Sequence, residues 1–456
     1  MSLATPIAIR TLQRKLYCKA KAEPAFRFYV LYDKICRQDI LHHAYALARE
    51  NVGAPGVDGV TFAAIEASGV EAWLAGLREE LVAKTYRPDP VRRVSIPKAD
   101  GEGERLLGIP TIRDRVIQSA AKLVLEPIFE ADFEDNAYGY RPARGAVDAV
   151  KDVHRHICRG YTDVVDADLS RYFDSIPHDD LIKSVARRIV DRHVLRLIKL
   201  WLKVPIEERD RDGTRRMRGG KRNRHGTPQG GVVSPMLANI YMNRFLKHWR
   251  LTRRGEAFRA HVVAYADDFV ILSRGHAAEA LAWTQAVMTK LGLTLNEAKT
   301  SVKNAQTERF DFLGYSFGLH HYGKTGQRYL GASPSKKSVG RIKAKVSELL
   351  VPSNTGAWPE VRDRLNLLLQ GWSAYFGYGT QTQACQAINH HVYDRVRNFL
   401  RRRHQMHGRG TRKFGAAAVF GTLGCCSCDA CLLHHRREPH DEAGRKAGCG
   451  KSARPV

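Results

Sequence analysis

Two groups of acidic residues have the types and spacing to do chemistry. Asp267 and Asp268 are adjacent carboxylates with apolar residues on both sides, in HVVAYADDFVIL. Such a pair is costly to bury unless a cation compensates it, and a tight hairpin would project it at the edge of a sheet. In DVVDADL at 163–169, strand periodicity puts Asp166 and Asp168 on one face. Carboxylates gathered at strand ends are suited to Mg²⁺, with substrate phosphates completing the coordination.

The four residues Tyr265-Ala266-Asp267-Asp268 taken alone fit an ordinary polar turn equally well. The second acidic strand end favours a metal site over that alternative. Two Mg²⁺ ions about 3.5–4 Å apart can activate an attacking 3′-hydroxyl and stabilise a leaving pyrophosphate. The pattern therefore indicates nucleotidyl transfer.

The elements that must position these carboxylates alternate between helix and strand. Three- and four-residue apolar spacing predicts helices, and period-two alternation predicts strands. The predicted helices are 40–48, 70–81, 114–129, 277–291, 338–350, 361–372 and 384–403. The predicted strands are 94–96, 163–169, 261–272 and LTLN at 293–296. This order indicates an α+β core with a central antiparallel sheet.

Composition bounds the class of protein. The 456 residues include 74 Lys and Arg against 47 Asp and Glu, a net charge of +27. That excess predicts a polyanionic partner, nucleic acid first and an anionic membrane surface second. With 43% hydrophobic residues the chain can bury a sizeable core, so it is not a disordered polycation. No apolar run reaches the roughly 18 residues of a membrane-spanning helix, and we expect no membrane partner.

Cysteine usage and the N-terminal sequence favour the cytoplasm. Nine cysteines is an odd number, and several, such as Cys18 and Cys158, are scattered without ligand spacing. MSLATPIAIR lacks the basic and apolar regions of a signal peptide. Basic residues become denser in 331–456, which has 21 Lys and Arg against 8 Asp and Glu. We therefore expect a domain boundary at 325–335.

Seven ordered blocks resemble the reverse transcriptases encoded by bacterial group II introns, the reverse transcriptase/maturase family, over almost the whole chain. The blocks are IPKADGEGERLLGIPTIRDRVIQ (96–118), DNAYGYRPARGAVDAV (135–150), DADLSRYFDSIPH (166–178), GTPQGGVVSPMLANIYM (226–242), YADD (265–268), LTLNEAKT (293–300) and FDFLGYSF (310–317). Each block alone would be weak, but seven in order are specific.

The resemblance implies an α+β right-hand polymerase. Its fingers and palm would contain an antiparallel sheet, and an all-helical thumb/maturase (X) domain would follow. The expected parts are an N-terminal extension of the fingers at 1–75, fingers and palm at 76–325, the thumb/X domain at 330–415, and a short basic tail at 416–456 that we expect to be disordered.

The resemblance also assigns the catalytic carboxylates. Asp168, Asp267 and Asp268 match the three palm aspartates that hold two Mg²⁺ ions, and Leu169 is expected beside them at the metal. Asp166 lies on the same strand face and is kept as an alternative ligand. Asp174 is expected to make structural hydrogen bonds.

A second set of residues is assigned to the nucleotide by the same resemblance. An aromatic ring at Phe173 would clash with a 2′-hydroxyl and so select dNTPs, although the alternative is an ordinary core phenylalanine. Lys299 is a possible general acid for the leaving pyrophosphate. The expected dNTP-binding residues are Lys98, Arg105, Phe173, Gln229 and Gly230.

Two basic regions are expected to bind RNA. The segment RDRDGTRRMRGGKRNR at 209–224 reads as a hairpin or loop, with a solvated charged loop as the alternative. LLLQGWSAYFGYG at 367–379 resembles the maturase domain, although its aromatic residues could equally pack the thumb core. Cations neutralise phosphates while rings stack on bases. The expected RNA contacts are Arg215, Arg216, Arg218, Lys221, Arg222, Arg397, Arg401, Arg402 and Arg403.

The C-terminal cysteines and histidines pose a separate question. Cys428 and Cys431 have the spacing of zinc ligands, but two such pairs are needed for the HNH endonuclease found in many family members. We expect neither zinc binding nor endonuclease activity. The other residues considered are Cys425, Cys426, His434, His435 and Cys449.

The resulting expectation is an RNA-directed DNA polymerase that binds its group II intron RNA, assists splicing and supports retrohoming. Its partners would be the intron RNA, an RNA template with a DNA primer, target DNA and dNTPs. One alternative is an RNA-binding maturase in which polymerisation is dispensable. Another is a related retron, diversity-generating or CRISPR-associated reverse transcriptase.

Overall fold

A computed structural model of the protein describes residues 3–97, 104–209, 214–220, 222–322 and 325–429. The chain divides into two compact units. The first is Met1–Ala149 with Asp163–Val302, and the second is Val150–Thr162 with Lys303–Val456. Among the described residues, none of the helices combines the length and the apolar character needed to cross a membrane.

In the part of the chain that the structure describes, five helices precede the first strand, and groups of strands and helices then follow one another to the end of the first unit. Its helices are α1 Ile7–Ala22, α2 Tyr32–Ile35, α3 Gln38–Glu50, α4 Phe62–Ser68, α5 Val70–Val82, α6 Ile112–Glu130, α7 Ala146–Cys158, α8 Tyr172–Ser175, α9 His178–Ala186, α10 Arg192–Leu202, α11 Ser234–Leu251, α12 Arg254–Ala257 and α13 Ala277–Lys290. Its strands are β1 Val91–Pro97, β2 Glu104–Ile109, β3 Asp163–Asp168, β4 Pro205–Arg209, β5 Arg215–Gly219, β6 Ala260–Tyr265, β7 Asp268–Ser273 and β8 Ser301–Asn304. The division between the units falls inside α7 and β8.

The second unit begins with strands and ends with helices. Its elements are β9 Phe310–Phe312, β10 Tyr315–His321, β11 Arg328–Pro334, α14 Lys336–Leu349, α15 Trp358–Tyr375, α16 Thr382–Arg403 and a π-helix at Ala418–Thr422. The expected all-helical character holds from α14 to α16. It does not hold for the whole unit, because β9–β11 form a three-stranded antiparallel sheet within it.

The first unit contains two four-stranded sheets. One has the order β2-β1-β4-β5, in which β1 and β4 are parallel and the outer pairs are antiparallel. The other has the order β6-β7-β3-β8, and β3 pairs with β7 in antiparallel register. This second sheet is the central antiparallel sheet expected from the sequence.

Burial explains why the acidic strand β3 is stable. Val164, Val165 and Ala167 are at most 2% exposed, whereas Asp166 and Asp168 remain half-buried. The neighbouring strand β7 is buried almost throughout, since its residues from Phe269 onward contact core on both faces. Apolar burial of this extent holds the strands in place, so the carboxylates at their ends have a rigid support.

The predicted strand LTLN at 293–296 is wrong. The chain turns at Gly292 (φ +70°) and makes one isolated bridge, between Leu295 and Leu169. The Ser170 amide donates to the carbonyl of Thr294 at 2.9 Å. Leu293 and Leu295 are buried because this segment crosses the end of β3 once. They do not belong to a strand that pairs with its neighbour along its length.

Candidate active site

A tight hairpin places the adjacent carboxylates at the end of the central sheet. Tyr265 on β6 pairs with Asp268 on β7, so Ala266 and Asp267 form a two-residue turn. Ala266 has a left-handed backbone, with φ +58°, as such turns require at their first central position. Asp268 also pairs across the sheet with Asp168 at the end of β3. The hairpin expected from the sequence is confirmed, and it brings the two acidic groups to one edge.

The carboxylates at this edge repel one another. Dehydration by the surrounding protein, and then the charges of Asp267, Asp168 and Asp166, raise the pKa of Asp268 to about 7, although Lys299 opposes the shift. The Asp268 side chain is exposed to solvent, where a cation could reach it. A bound cation would relieve the part of this pKa shift that comes from repulsion between the carboxylates. The arrangement is therefore adapted to a positive ligand.

Lys299 is the cation in contact with this edge. Its Nζ lies 3.2 Å from Oδ2 of Asp168, while the lysine side chain is 67% exposed. Asn296 fixes the same aspartate, because its backbone amide donates to the Asp168 carbonyl at 2.8 Å and its side-chain amide lies 3.4 Å from the carboxylate. The segment 293–300 thus supports Asp168 by crossing the end of β3.

The donor chemistry fits Mg²⁺ bound together with substrate. Over the described ranges, no three His, Cys, Asp or Glu side chains are close enough to form a metal cage by themselves. Mg²⁺ is usually held by one or two carboxylates plus waters and substrate phosphates, and seldom by an all-protein cage. Asp168, Asp267 and Asp268 offer that kind of partial oxygen set.

The segment 137–141 packs against the hairpin, which was not expected from the sequence, and we call this segment the buttress. Ala137 forms a parallel bridge with Ala264 on β6, and the Tyr138 amide donates to the Ala264 carbonyl at 2.8 Å. A Cβ on Gly139 would lie 2.4 Å from the backbone nitrogen of Ala266, so only glycine permits this approach. Asn239 on α11 donates to the Gly139 carbonyl at 2.7 Å in a buried contact.

Arg141 holds the rest of that buttress. Its side chain is 3% exposed and makes an ion pair of 2.6 Å with Glu130. It also donates to the carbonyls of Glu134 at 2.6 Å and Ala137 at 2.8 Å. A paired, fully donating buried guanidinium fixes local backbone geometry. The block DNAYGYRPARG therefore positions the Tyr265–Asp268 hairpin, a role that the residue types alone did not reveal.

Phe173 lies on the short helix α8, five residues beyond Asp168. It is partly buried, and the ring of Tyr140 approaches it edge-on at 6.3 Å. Its carbonyl accepts from the Thr227 amide at 2.7 Å. Asp174 accepts from the Gln229 side chain at 3.2 Å. Phe173 is therefore adjacent to the loop that contains Gln229.

Gly230 packs directly on β2. It has φ +109°, and a Cβ there would lie 2.3 Å from the carbonyl oxygen of Gly108. The Gly108 amide donates to the carbonyl of Gln229 at 2.6 Å. These contacts join β2 to the PQGG loop, residues 228–231. Lys98 lies outside the described residues, and the side chain of Arg105 is likewise outside them.

A buried polar network was also missed, and its residues Asp114 and Trp201 line one cavity with Pro228 and Gly231 of this loop. Asp114 is 1% exposed and accepts from the Tyr86 hydroxyl at 2.6 Å and the Asp89 amide at 3.0 Å. Trp201 donates to the same hydroxyl at 3.1 Å. Burial raises the pKa of Asp114 to about 6. Only the position of Asp114 near a helix start hinted at a role.

The basic segment at 209–224 is partly a hairpin, as one of the two expectations stated. β4 and β5 pair over 205–219. Arg215 and Arg216 are exposed, whereas Arg218 forms an ion pair with Glu208 at 2.6 Å. Arg222 is exposed in the turn that follows, and Lys221 lies outside the described residues.

The predicted RNA contacts on α16 differ in their surroundings. Arg397 pairs with Asp394 at 3.0 Å and covers the ring of Tyr393. Arg403 donates to the carbonyls of Asn354 and Gly356. Arg401 lies 3.4 Å from the carbonyl of Gly408.

Arg402 on the same helix is exposed. The aromatic residues of 367–379 mostly pack the second unit, since Trp372 and Phe376 are at most 9% exposed.

The first part of the expected disordered tail is packed. The Cys426 amide donates to Asn366 on α15 at 2.8 Å, and the Cys428 amide donates to Asn389 on α16 at 2.9 Å. Cys425 is 2% exposed. This corrects the expectation for 416–429, because buried thiols and backbone bonds anchor that segment. The remaining candidates, Cys431, His434, His435 and Cys449, lie outside the described residues.

Comparison with known proteins agrees with the geometry. Residues 96–317 match the family model "Reverse transcriptase (RNA-dependent DNA polymerase)", and residues 339–415 match "Group II intron, maturase-specific domain". The chain is 34% identical to protein YkfC of Escherichia coli K12, over 67% of this chain and 87% of YkfC. It is 35% identical to the group II intron-encoded protein LtrA of Lactococcus lactis subsp. cremoris, over 48% of this chain and 34% of LtrA.

A third relative is nuclear intron maturase 4 of Arabidopsis thaliana mitochondria, 27% identical over 34% of this chain and 18% of that protein. The fold, the acidic edge and the first domain match define an RNA-directed DNA polymerase. With the maturase-specific domain and the similarity to YkfC and LtrA, the chain belongs to the group II intron reverse transcriptase/maturase family. The resemblance read from the sequence is confirmed. The chain spans most of YkfC but about a third of LtrA.

Proposed function

We propose that Asp168, Asp267 and Asp268 hold two Mg²⁺ ions and catalyse DNA synthesis on an RNA template, with Leu169 beside them at the metal. The observation that carries this is the crowding of carboxylates at the paired ends of β3 and β7, which raises the pKa of Asp268 to about 7. Bound Mg²⁺ would stabilise the charge that develops on the attacking and leaving oxygens. The protein residues supply a rigid edge and the negative charge that attracts the ions.

The neighbouring groups would select and orient the nucleotide. The Phe173 ring would exclude a 2′-hydroxyl by steric clash and so favour dNTPs over NTPs. Gln229 and Gly230 would form the floor beneath the nascent base pair, where the missing Cβ of Gly230 lets β2 approach. Lys98 and Arg105 would contact the triphosphate.

Lys299 would act on the leaving group. Its exposed ammonium contacts Asp168, so it lies at the acidic edge where pyrophosphate charge would develop. A lysine there can donate a proton to pyrophosphate or neutralise it electrostatically.

The RNA partner would be the chain's own group II intron. The maturase-specific match and the net charge of +27 support this partner. We propose that the protein assists splicing of the intron, and that it copies the intron from a DNA primer at target DNA during retrohoming. Arg215, Arg216 and Arg402 have exposed side chains, and we expect them to contact RNA phosphates. The compartment would be the bacterial cytoplasm.

Primer extension tests the proposal. Wild-type protein should extend a DNA primer on an RNA template with dNTPs and Mg²⁺. Asp267→Ala should reduce the extension rate at least about 10³-fold, because loss of this carboxylate weakens the binding of the Mg²⁺ ions that stabilise the transition state. Asp166→Ala is the matched control, since it removes a carboxylate from the same strand face but not a proposed ligand. It should keep most of the rate.

Two outcomes would count against the proposal. Equal losses in Asp166→Ala and Asp267→Ala would contradict the ligand assignment. A folded wild-type protein that binds RNA but extends no primer would favour a maturase without polymerase activity.

A further inference from the structure

A basic surface lies on the first unit outside the acidic edge. It is formed by the end of α11, the short helix α12 and one residue of α13. Its members are Lys247, His248, Arg253, Arg254 and Trp283, and we call it the α11–α12 basic surface. Lys247, His248 and Arg253 are exposed, and Arg254 and Trp283 are half-buried.

The aromatic part of this surface is a stacked pair of rings with an arginine beside it. The His248 ring lies parallel to Trp283, with ring centres 5.4 Å apart and an angle of 18° between the planes. The Arg254 guanidinium lies 5.4 Å from the Trp283 ring centre and 5.6 Å from that of Phe258. Stacking of this kind fixes the exposed His248 ring as a flat platform. An unpaired base recognises such a platform through its own π-face.

Acids neutralise this surface only in part, and the charge of Asp132 interacts with that of Lys247. Glu134 pairs with Arg250 at 2.7 Å, and Glu279 pairs with His276 at 3.5 Å. Glu256 is the acidic residue within α12 itself. The cations of the basic surface therefore outnumber the acids beside them, as in a phosphate-binding region.

The basic surface is separate from the site of polymerisation. β6 begins at Ala260, directly after α12, and ends at Tyr265 beside the catalytic turn. Six strand residues at about 3.3 Å each separate the two by roughly 17–20 Å. A nucleotide held at the carboxylates would not reach the basic surface.

We propose that the α11–α12 basic surface is a second RNA-binding site, which takes an unpaired segment of folded RNA by stacking one base on His248 and binding the flanking phosphates with Lys247 and Arg253. The site rests on the proposed function in one respect, that the chain binds a structured RNA. It adds a place and a mode of recognition that polymerisation does not need.

The test measures RNA affinity and polymerisation separately in the full chain. Fluorescence anisotropy would compare a hairpin RNA with an unpaired loop and a fully paired duplex of equal length, over a range of salt. Lys247→Glu with Arg253→Glu should weaken loop binding at least about tenfold and reduce the salt slope by about two. His248→Ala should weaken loop binding about fivefold or more and leave duplex binding unchanged.

The control is Lys199→Glu with Lys203→Glu, an equal charge change at two exposed cations of α10 and the turn after it. All variants should extend a pre-annealed primer on a short RNA template at the wild-type rate, so a failed polymerase proposal would not resemble a failed surface proposal. Loop binding within twofold of wild type in the basic-surface variants would overturn the inference. So would an equal loss in the control pair, because it would indicate general charge attraction only.

Discussion

The acidic edge of the first unit and the basic helix α16 of the second differ in how their charges are satisfied. At the edge, the carboxylates around Asp268 outweigh the contact from Lys299, and the pKa of Asp268 rises to about 7. On α16, Arg403 is occupied by two backbone carbonyls and Arg397 by Asp394. Charge alone is therefore a poor guide to function. Charged groups that the protein leaves without a compensating partner indicate a ligand-binding site, whereas charged groups paired within the protein stabilise the fold.

The largest effect short of removing a carboxylate is expected from Gly230→Ala. The added Cβ would lie 2.3 Å from the Gly108 carbonyl oxygen, at a backbone φ of +109°, so the loop must shift by roughly 1 Å. A displacement of that size at a positioning element costs about 10²-fold in rate. Steady-state primer extension should show this loss.

Gly76→Ala is the control for Gly230→Ala, because a Cβ on Gly76 of α5 meets no atom within 4 Å. It should leave extension unchanged. A Gly230→Ala protein with wild-type kinetics would contradict the role given to the PQGG loop.

A smaller effect is expected when the hairpin buttress is weakened. Asn239→Ala removes the 2.7 Å bond to the Gly139 carbonyl and leaves that buried group without this donor. Loss of such a bond costs about 1–3 kcal/mol, and we expect a drop of about tenfold in extension rate. Asn51→Ala is the control because its side chain bonds the carbonyl of Leu47 at the end of α3 and not Gly139. Equal primer-extension rates for the two variants would contradict the role of the buttress in positioning the hairpin.

Two adjacent arginines on α16 should differ in function, because Arg403 bonds backbone carbonyls and Arg402 is exposed. Arg403→Ala should lower the thermal midpoint by a few degrees, because the 354–356 carbonyls lose their donor and the Phe399 ring loses its cation. Arg402→Ala should leave the midpoint unchanged and weaken RNA binding about threefold. Thermal melts and RNA titrations distinguish these outcomes. Weaker RNA binding by Arg403→Ala, with a lower midpoint for Arg402→Ala, would instead identify Arg403 as the RNA contact.

The smallest effect concerns pH and the second unit. Burial lowers the pKa of His320 to about 4, helped by Arg309 and His154. The folded state therefore favours neutral His320. Its contribution to stability is complete above the unfolded pKa of about 6.5 and is lost as the pH falls from there towards 4.

The variant His320→Phe lacks this titration. Between pH 7 and pH 5 the wild-type melting temperature should fall by about 2–4 °C more than that of the variant. Differential scanning calorimetry at both pH values measures it. Parallel pH dependence in the two proteins would contradict the burial argument.

The sequence predicted the elements that short-range patterns define. Apolar periodicity located α3, α5 and α6 to within a few residues, and the acidic turn of β6 and β7 followed from YADD between apolar runs. The strand expected at 293–296 failed because alternation of buried leucines cannot distinguish a ladder from a single crossing. The three-stranded sheet of the second unit was missed because β9 is three residues long and carries little pattern.

The supporting contacts of the site lie beyond what a single sequence reveals. Asn239 and Gly139 meet only in the fold, across 100 residues of chain, and Arg141 is paired with Glu130 and the carbonyl of Ala137. Nothing in their local sequence distinguishes a buried, paired arginine from a surface one. Asp114 is similar, since its partner Tyr86 lies 28 residues earlier in the chain and accepts in turn from Trp201 on α10. The carboxylates themselves were predictable because a recognisable motif surrounds each of them.

The central claim is that the carboxylates of Asp168, Asp267 and Asp268 hold the catalytic cations, and Fe²⁺-directed cleavage tests it most directly. Fe²⁺ with ascorbate and peroxide replaces Mg²⁺ and cuts the chain near the bound ion, and mass spectrometry maps the cuts. The account predicts cuts within a few residues of Asp168 and of the Asp267–Asp268 turn, suppressed by excess Mg²⁺ and absent in Asp267→Ala. Cuts elsewhere in the chain, or cuts at this edge that Mg²⁺ does not suppress, would contradict it.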